Sequence, residues 1–281
     1  MGAPASVRAD GIKNQQFVGG PVLARLDMAG TVQVQCQMSL MVESSRRRVT
    51  RLVLGAPIDE VTWNDSVARI SAWAGRRESR CVNFCNVHSV VTALGAWRYF
   101  DAIESGDLNL PDGAPIAWVM RSAGATGQPR ISGPDLMWRY LAVAEREGHV
   151  VSFYGDTEDT LHRLRAEMLR AFPGLRIGVL LSPPFGPISA AQDADDVSLG
   201  CPKQELWMDA HRRRVQATML GVGAAVATHA GVIRRAPVWM QHCGLEWLHR
   251  LLSEPRRLAR RYLFTNSAFV LRILFPGRGA R

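Results

Sequence analysis

The amino-acid sequence predicts an α/β protein with a doubly wound, Rossmann-like parallel sheet and a helical C-terminal appendage. Between residues 49 and 233, short apolar runs alternate with longer helical patterns, and this order is typical of parallel strands joined by crossover helices. Apolar residues make up 47% of the 281 residues, which is enough for a sizeable core. Residues 1–48 are predicted to be a weakly ordered extension, and residues 234–281 the appendage.

The sequence pattern is weak over residues 1–48 and becomes clear from residue 49. Within the extension only residues 31–40 alternate apolar and polar side chains, which indicates one edge strand. A strand over 52–54 follows. Thr62 and Asp65 then form a capping box that opens a helix through Trp73.

The remaining strands and helices of the core alternate. Apolar runs predict strands over 80–86, 115–120, 150–154, 175–180 and 216–221. Helical patterns predict helices through 93–99, from 133, over 158–171 and over 202–214. Parallel sheets place ligands at the carboxyl ends of their strands, so the loops at Asn86, Asp112, Gly155, Ser182 and Gly221 should converge. The interval between 182 and 198 is short for a full crossover.

Positive charge is concentrated at the C-terminus. Residues 234–281 contain ten Arg, no Lys and two acids, a net charge of +8, whereas the whole chain carries +9. The rest of the chain is therefore nearly neutral. Arg presents a planar fork that fits phosphate, so the segment suits an anionic partner. A genomic bias toward Arg codons would explain the excess of Arg but not its clustering.

Cysteine usage and hydropathy exclude several classes of protein. The five Cys residues form no C-x-x-C pair and their number is odd, so neither a zinc site nor a disulfide framework is indicated and a reducing, cytoplasmic interior fits. No signal peptide is visible at the N-terminus. The uncharged run over 215–233 contains Gln, Thr, His and several Gly, and we interpret it as a strand, a turn and a helix start instead of a membrane span.

Several polar residues stand in turns next to the predicted strands or at a helix start. Asp112 lies in a Pro-Asp-Gly turn just before the predicted strand over 115–120, where it is either simple turn chemistry or a carboxylate near the strand ends able to accept a proton from a hydroxyl. Asn86 and His88 follow a strand, and His88 is either a structural group or part of the site. Lys203 and Gln204 follow Pro202 at a helix start, where backbone N–H groups can face a polar ligand.

The turn containing Gly221 and Gly223 is a damaged dinucleotide fingerprint. Val226 stands where the third Gly or Ala belongs, and no acid follows at the end of a second strand. NAD binding is therefore disfavoured, and no cofactor or metal is predicted.

The pattern of the arginine-rich segment predicts helices with an apolar face. Pro237 and Pro255 each open a helix, and Gly244 breaks the chain between them. Arg and interfacial Trp and Tyr together suit a peripheral membrane element that binds lipid headgroups or a diphosphate. The alternatives are a solvated basic face and a nucleic-acid surface, although no nucleic-acid motif accompanies the charge.

Residues from about 49 to 272 resemble the WecG/TagA/CpsF family of bacterial glycosyltransferases, glycosyltransferase family 26. Eight pieces occur in family order: NVHSVV, LPDGAPIAW, RISGPDLM, FPGLRI, SPPF, GCPKQELWM, HAGVIRRAPVWM and GLEWLHRLLSEPRRLARRYL. The resemblance implies an inverting, metal-independent transfer of a sugar from a UDP-sugar to a polyprenyl-diphosphate-linked saccharide, in exopolysaccharide or related glycan synthesis. It implies a cytoplasmic protein bound peripherally to the anionic inner membrane surface, and it leaves a homo-oligomer open.

The resemblance also implies roles for individual residues. Asp112 matches the family's proposed catalytic base, and Asn86 and Gln204 match polar residues of the same pocket. His88, Lys203, Gly221 and Gly223 complete the candidate binding residues. The residues that match Arg of the appendage, thought to close over the nucleotide diphosphate and touch the membrane, are Arg250, Arg257 and Arg260.

The sequence departs from the family pattern at three places, and the last two of them motivate a second hypothesis. Phe84 stands where many members have Thr, Val226-Ala227-Thr228 replaces a Phe-Asp-Phe, and the interval after residue 182 is short. A degenerate member that binds nucleotide or membrane as a scaffold is the alternative to an active transferase. An arginine-rich nucleic-acid binder is the third hypothesis.

Overall fold

The structure is a computed structural model, and it describes residues 48–182 and 200–275. The predicted extension and its edge strand over 31–40, as well as the short interval after residue 182, therefore lie outside the described residues. The part from Arg48 onward forms one compact unit, so the C-terminal helices pack as part of the same body as the sheet.

The chain enters the fold through an antiparallel hairpin. Strands β1 (Thr50–Val53) and β2 (Ala56–Asp59) pair with each other, and helix α1 (Trp63–Gly75) follows. The predicted capping box is confirmed, since Thr62 accepts a hydrogen bond from the Asp65 amide at 3.1 Å while the Asp65 carboxylate accepts one from the Thr62 amide.

A three-stranded parallel sheet forms the centre of the molecule. Its order is β4 (Leu108–Pro111), β3 (Arg80–Cys85), β7 (Thr218–Leu220). Every residue of β4 and nearly every residue of β3 is buried, as expected for strands covered on both faces. The α/β fold class with parallel strands is thereby confirmed.

Two segments differ from the sequence prediction around the central sheet. The predicted strand over 115–120 is wrong, because those residues belong to helix α4 (Ala114–Ser122). Its apolar run satisfies either period: Ile116, Ala117 and Met120 are buried at helical spacing while Trp118 is exposed. The strand lies earlier, at β4.

The predicted helix through residues 93–99 is two helices, α2 (Val87–Gly95) and α3 (Trp97–Glu104). Ala96 is extended between them, at φ −135° and ψ 91°. After the break, α3 packs against β2 of the hairpin, and its Tyr99 and Ile103 are buried with Val53 and Ile58.

The next elements form a second parallel pair. Helix α5 (Gly133–Glu147) leads to β5 (Val150–Tyr154), α6 (Glu158–Ala171) and β6 (Arg176–Leu181). Among the described strands, β5 and β6 pair only with each other, as a separate two-stranded sheet. The largest buried cluster joins this pair to the central sheet: it contains Phe84 of β3 and Leu136 of α5, and Val151 and Ile177 of β5 and β6 pack against it.

The C-terminal half of the chain is mostly helical. It contains α7 (Lys203–His211), α8 (Ala225–His229), α9 (Val238–His242), α10 (Glu246–Ser253) and α11 (Pro255–Leu274). Pro237 caps α9 and Pro255 opens α11, as predicted. Helix α11 packs along α2, and its Leu258 and Phe269 are buried. The appendage therefore covers the carboxyl ends of β3 and β4.

Candidate active site

Asn86 and Asp112 lie side by side because β3 and β4 run parallel and in register. Cys85 is opposite Pro111, and the Asp112 amide donates to the carbonyl of Cys85 at 3.0 Å. Asn86 and Asp112 are the residues that follow each strand. The sequence placed Asp112 before a strand, whereas the structure places it directly after one, at the edge where parallel sheets bind ligands.

Asn86 is fixed by its own helix. Its Oδ1 accepts a hydrogen bond from the Ser89 amide at 3.1 Å, and the Ser89 hydroxyl accepts from the Asn86 amide at 3.3 Å. This capping box holds the side-chain amide of Asn86 where it hydrogen-bonds the Asp112 carboxylate. One residue thus begins α2 and orients the candidate base.

The sharp turn after Asp112 depends on Gly113. Its φ of +89° lies in the region that side chains disfavour, and it lets the chain pass from β4 into α4 within two residues. The Asp112 carboxylate is left at the start of a helix, in a partly buried position.

Burial is the main influence on Asp112 and raises its pKa to about 6. Three neighbouring charges modify this effect: Arg130 and Arg250 lower the pKa and Glu246 raises it. A carboxyl group whose pKa lies just below neutral pH is ionised enough to accept a proton and basic enough to hold it. Asp112 is therefore suited to general base catalysis.

Arg130 is a member of the site that the sequence did not reveal. The Ile131 amide donates to the carbonyl of Pro111 at 2.9 Å, and this bond brings the preceding Arg130 beside Asp112. The two residues are far apart in sequence, so no local spacing pattern could have joined them.

Arg130 belongs to a network of four charged residues, which we call the latch: Arg130, Asp135, Arg235 and Glu246. Arg130 hydrogen-bonds the Glu246 carboxylate and lies 3.7 Å from that of Asp135. Arg235 donates to Asp135 at 2.6 Å and lies 3.9 Å from Glu246. The latch joins α10 of the appendage to the first turn of α5 in the core.

Gln204 supports the loop after β7. Its Nε2 donates to the Gly221 carbonyl at 2.9 Å and to Glu205 at 2.7 Å, and its Oε1 accepts from the Gly223 amide at 3.1 Å. A Cβ on Gly221 would meet Gln204 and Met208 at 3.2 and 2.9 Å. Gln204 is therefore buried and holds the loop that contains Gly221 and Gly223, so these three candidate residues lie together.

Glu205 is a buried carboxyl group next to this loop. It is 1% exposed, burial raises its pKa to about 7, and its Oε2 has no hydrogen-bond partner among the described residues. Lys203, two residues earlier, is exposed. The glycine-rich turn continues into α8, where Val226 and Ala227 are buried apolar residues.

Helix α11 brings a cation to the first turn of α2, the helix that Asn86 caps. Arg261 lowers the pKa of His88 together with burial, which is the larger cause. Arg261 also lowers the pKa of Cys201, against the larger rise that burial causes. Its Nε is buried without a hydrogen-bond partner in the described part of the chain. The predicted Arg260 is exposed, and Arg250 is partly buried near Asp112. Arg257 lies in α11, but its side chain is outside the described structure.

The described residues contain neither a group of three or more His, Cys, Asp and Glu able to hold a metal ion nor a helix with the length and apolar character needed to cross a membrane.

Comparison with known proteins shows which family the sequence matches. Residues 51–280 match the model of the glycosyl transferase WecG/TagA/CpsF family. An N-acetylglucosaminyldiphosphoundecaprenol N-acetyl-beta-D-mannosaminyltransferase of Bacillus spizizenii is 31% identical over 175 residues, which cover 58% of this chain and 67% of the relative. The enzyme of the same name from Bacillus subtilis is 29% identical over 190 residues, covering 64% of this chain and 73% of the relative.

Proposed function

The chain belongs to the WecG/TagA/CpsF glycosyltransferase family, and from this premise we propose that it transfers a sugar from a UDP-sugar to a polyprenyl-diphosphate-linked saccharide. The names of both relatives describe transfer of N-acetylmannosamine to N-acetylglucosaminyldiphosphoundecaprenol, which supports an acceptor of this class. The single observation that carries the proposal is Asp112, a carboxylate at the strand ends that is hydrogen-bonded to Asn86 and flanked by Arg130 and Arg250. The product would enter bacterial surface polysaccharide.

In the proposed reaction Asp112 acts as general base. It accepts the proton of the acceptor hydroxyl while that oxygen forms a bond to C1 of the donor sugar. The bond between C1 and the diphosphate breaks, and its electron pair leaves on UDP. A single displacement of this kind inverts the configuration at C1. General bases contribute roughly 10²- to 10⁴-fold in rate.

The departing diphosphate needs fixed positive charge, and we propose that arginines supply it without a metal. Arg250 and Arg261 reach the site from α10 and α11, and His88 lies at the start of α2. Preorganised donors aimed at developing charge lower the barrier because they need no reorganisation during the reaction. The guanidinium fork also matches phosphate oxygens.

The exposed face of α11 supports peripheral binding to the inner face of the bacterial cytoplasmic membrane. From Leu263 to Phe275, just past its end, the helix exposes large apolar side chains at helical spacing, and its first two turns expose arginines. The apolar residues are Leu263, Phe264, Val270, Leu271, Leu274 and Phe275. Such a helix can insert its apolar face among acyl chains while Arg binds anionic headgroups.

The test is transfer by the purified full chain to a short-chain lipid-diphosphate saccharide. We expect UDP release and a new glycosidic bond with wild type, and a loss of at least roughly a hundredfold in kcat with Asp112→Asn, which keeps the shape but not the basicity. Arg165→Gln, on the exposed face of α6, is the control. Equal rates for wild type and Asp112→Asn would show that Asp112 is not the general base.

A scaffold that binds nucleotide without turnover is the alternative. It is motivated by Ala227, which leaves no acid in the turn after Gly223. Tight UDP binding with no transfer from UDP-linked N-acetylmannosamine, glucose or glucuronic acid would favour it.

A further inference from the structure

A polar cavity of about 340 Å³ lies beside the site and is not used by the proposed donor contacts. Five segments contribute to it: the start of α1, helix α4, the loop leading into α5, the first turn of α5, and α9. Its walls include two indoles and several hydrogen-bonding groups: Trp63, Trp118, Arg121, Arg130, Asp135 and Gln241. Ala114 and Ala117 leave the space open on the α4 side.

The groups in this cavity suit a saccharide attached to an anion. Indole rings provide flat apolar surfaces for the C–H faces of a sugar, and carboxylate and amide groups orient hydroxyls. Arg130 and Asp135 already take part in ion pairs. Arg121 donates to the Gln128 carbonyl at 3.2 Å, and within 48–182 and 200–275 no carboxylate pairs with it. Arg121 is therefore the cation available to a ligand.

The position of the cavity matches the acceptor side of a displacement. Helix α4 begins immediately after Asp112 and Gly113, and Arg130 both lines the cavity and acts on Asp112. Arg261, by contrast, reaches the site from the α2 side. A base must contact the acceptor hydroxyl. Because Ala114, two residues after Asp112, and Arg130 both line the cavity, a ligand held there can present that hydroxyl to Asp112.

Two of the helices that line the cavity also expose apolar side chains. Trp118 of α4 lines the cavity and is 52% exposed. Gln241 of α9 lines the cavity, and Val238 and Trp239 of the same short helix are 65% and 61% exposed. A polar cavity bordered by helices with exposed apolar side chains fits an amphipathic ligand, whose lipid would leave along those helices.

We propose that this cavity binds the lipid-diphosphate saccharide acceptor, with Trp118 against the sugar and Arg121 on the diphosphate. The assignment rests on the proposed function, because it supplies the acceptor for that reaction. It adds two residues, Trp118 and Arg121, that contact the acceptor and not the donor.

The test measures binding in the absence of donor, so that no turnover is needed. The probe is N-acetylglucosamine linked through a diphosphate to a short lipid, titrated into the full-length protein. We expect Arg121→Gln and Trp118→Ala each to weaken its binding roughly tenfold, the scale of one lost charge-assisted contact. Trp118→Phe should restore much of the affinity, Arg165→Gln should leave it unchanged, and the affinity for UDP should stay within about twofold in all variants.

Unchanged affinity of Arg121→Gln and Trp118→Ala for the probe would overturn the assignment. An equal loss of UDP affinity would also overturn it, because the cavity would then serve the donor. A wild-type protein that binds the probe through these residues but transfers no sugar would contradict the proposed function while leaving the binding site in place.

Discussion

At Asp112, the balance between burial and neighbouring charge sets the pH at which the base works. Burial raises its pKa from an ordinary value of 3.8 to about 6. We expect kcat/KM to fall about tenfold per pH unit below that value, since the protonated carboxyl cannot accept a proton. Glu246 raises this pKa and Arg130 lowers it, so Glu246→Gln should move the acid limb to lower pH and Arg130→Gln to higher pH.

The same shift predicts a change in stability. Ionising Asp112 is harder in the fold than in the unfolded chain, so its contribution favours folding below its ordinary pKa and is lost as pH rises through about 6. Asp112→Asn should therefore gain stability relative to wild type as pH increases from 4 to 7 in denaturant titrations. An acid limb unmoved by both Glu246→Gln and Arg130→Gln would argue that another group titrates.

Adjacent arginines on α11 offer a matched pair of variants. Arg261 is partly buried, with an Nε that lacks a partner in the described structure, whereas Arg260 is exposed. We expect Arg261→Gln to reduce kcat/KM for the donor by roughly tenfold or more, since a partly desolvated cation stabilises the leaving diphosphate.

Arg260→Gln serves as the comparison, because it removes the same charge one residue away. Steady-state kinetics with the donor varied should show the smaller loss for Arg260→Gln. The reverse order would mean that α11 rotates when substrate binds and that the predicted role of Arg260 in diphosphate binding holds.

At the scale of elements, the latch fixes α10 against α5. Glu246 and Arg250 lie four residues apart on α10, on one face, so the pairing of Glu246 with Arg130 also places Arg250 near Asp112. Glu246→Gln should loosen α10 and speed its amide hydrogen exchange by roughly tenfold, the equivalent of about 1.4 kcal/mol.

The control for the latch is Glu167→Gln, which breaks an exposed pair with Arg170 on α6. Exposed pairs contribute little, so exchange in α10 should stay at the wild-type rate. If Glu246→Gln also leaves α10 protected, packing alone holds the appendage. Gly244 is the expected source of such packing, because a Cβ there would lie 2.7 Å from that of Ala114.

At the scale of the whole molecule, the appendage serves the core and the proposed membrane surface together. Its buried face contributes Leu258 and Phe269, at 0% and 6% exposed, so deleting it would uncover the core as well as remove membrane contact. Substitutions on the exposed face are the cleaner test. Phe264→Glu with Leu271→Glu should reduce sedimentation with phosphatidylglycerol vesicles at least tenfold, since two buried apolar side chains are lost from the lipid.

The same double variant should keep its thermal unfolding temperature and its transfer to a short-chain acceptor in detergent-free buffer. Phosphatidylcholine vesicles are the second comparison, because they remove the anionic headgroups while keeping the acyl chains. Unreduced binding to anionic vesicles would place the membrane surface elsewhere.

The amino-acid sequence was sufficient to predict the fold class, most element positions and the place of Asn86 after a strand, and it singled out Asp112 while placing it before a strand instead of after one. Alternating strands and helices, the Thr62 capping box and the Pro255 helix start are local patterns, and local patterns are legible along the chain. The run over 115–120 was misread because six apolar residues satisfy both strand and helix periods. The structure has a helix there because β4 ends at Pro111 and Gly113, with its positive φ, turns the chain into the helix.

Tertiary structure alone decided what surrounds Asp112. The hydrogen bond from the Ile131 amide to the Pro111 carbonyl brings Arg130 beside Asp112. Glu246 comes from α10 and pairs with Arg130. Arg261 comes from α11, and its Nε is buried. These residues are separated from Asp112 by between 18 and 149 positions in the sequence. Charge and burial depend on distances in space, which periodicity along a chain does not contain. The sequence could therefore point to Asp112 as a candidate base, but not to its pKa or its partners.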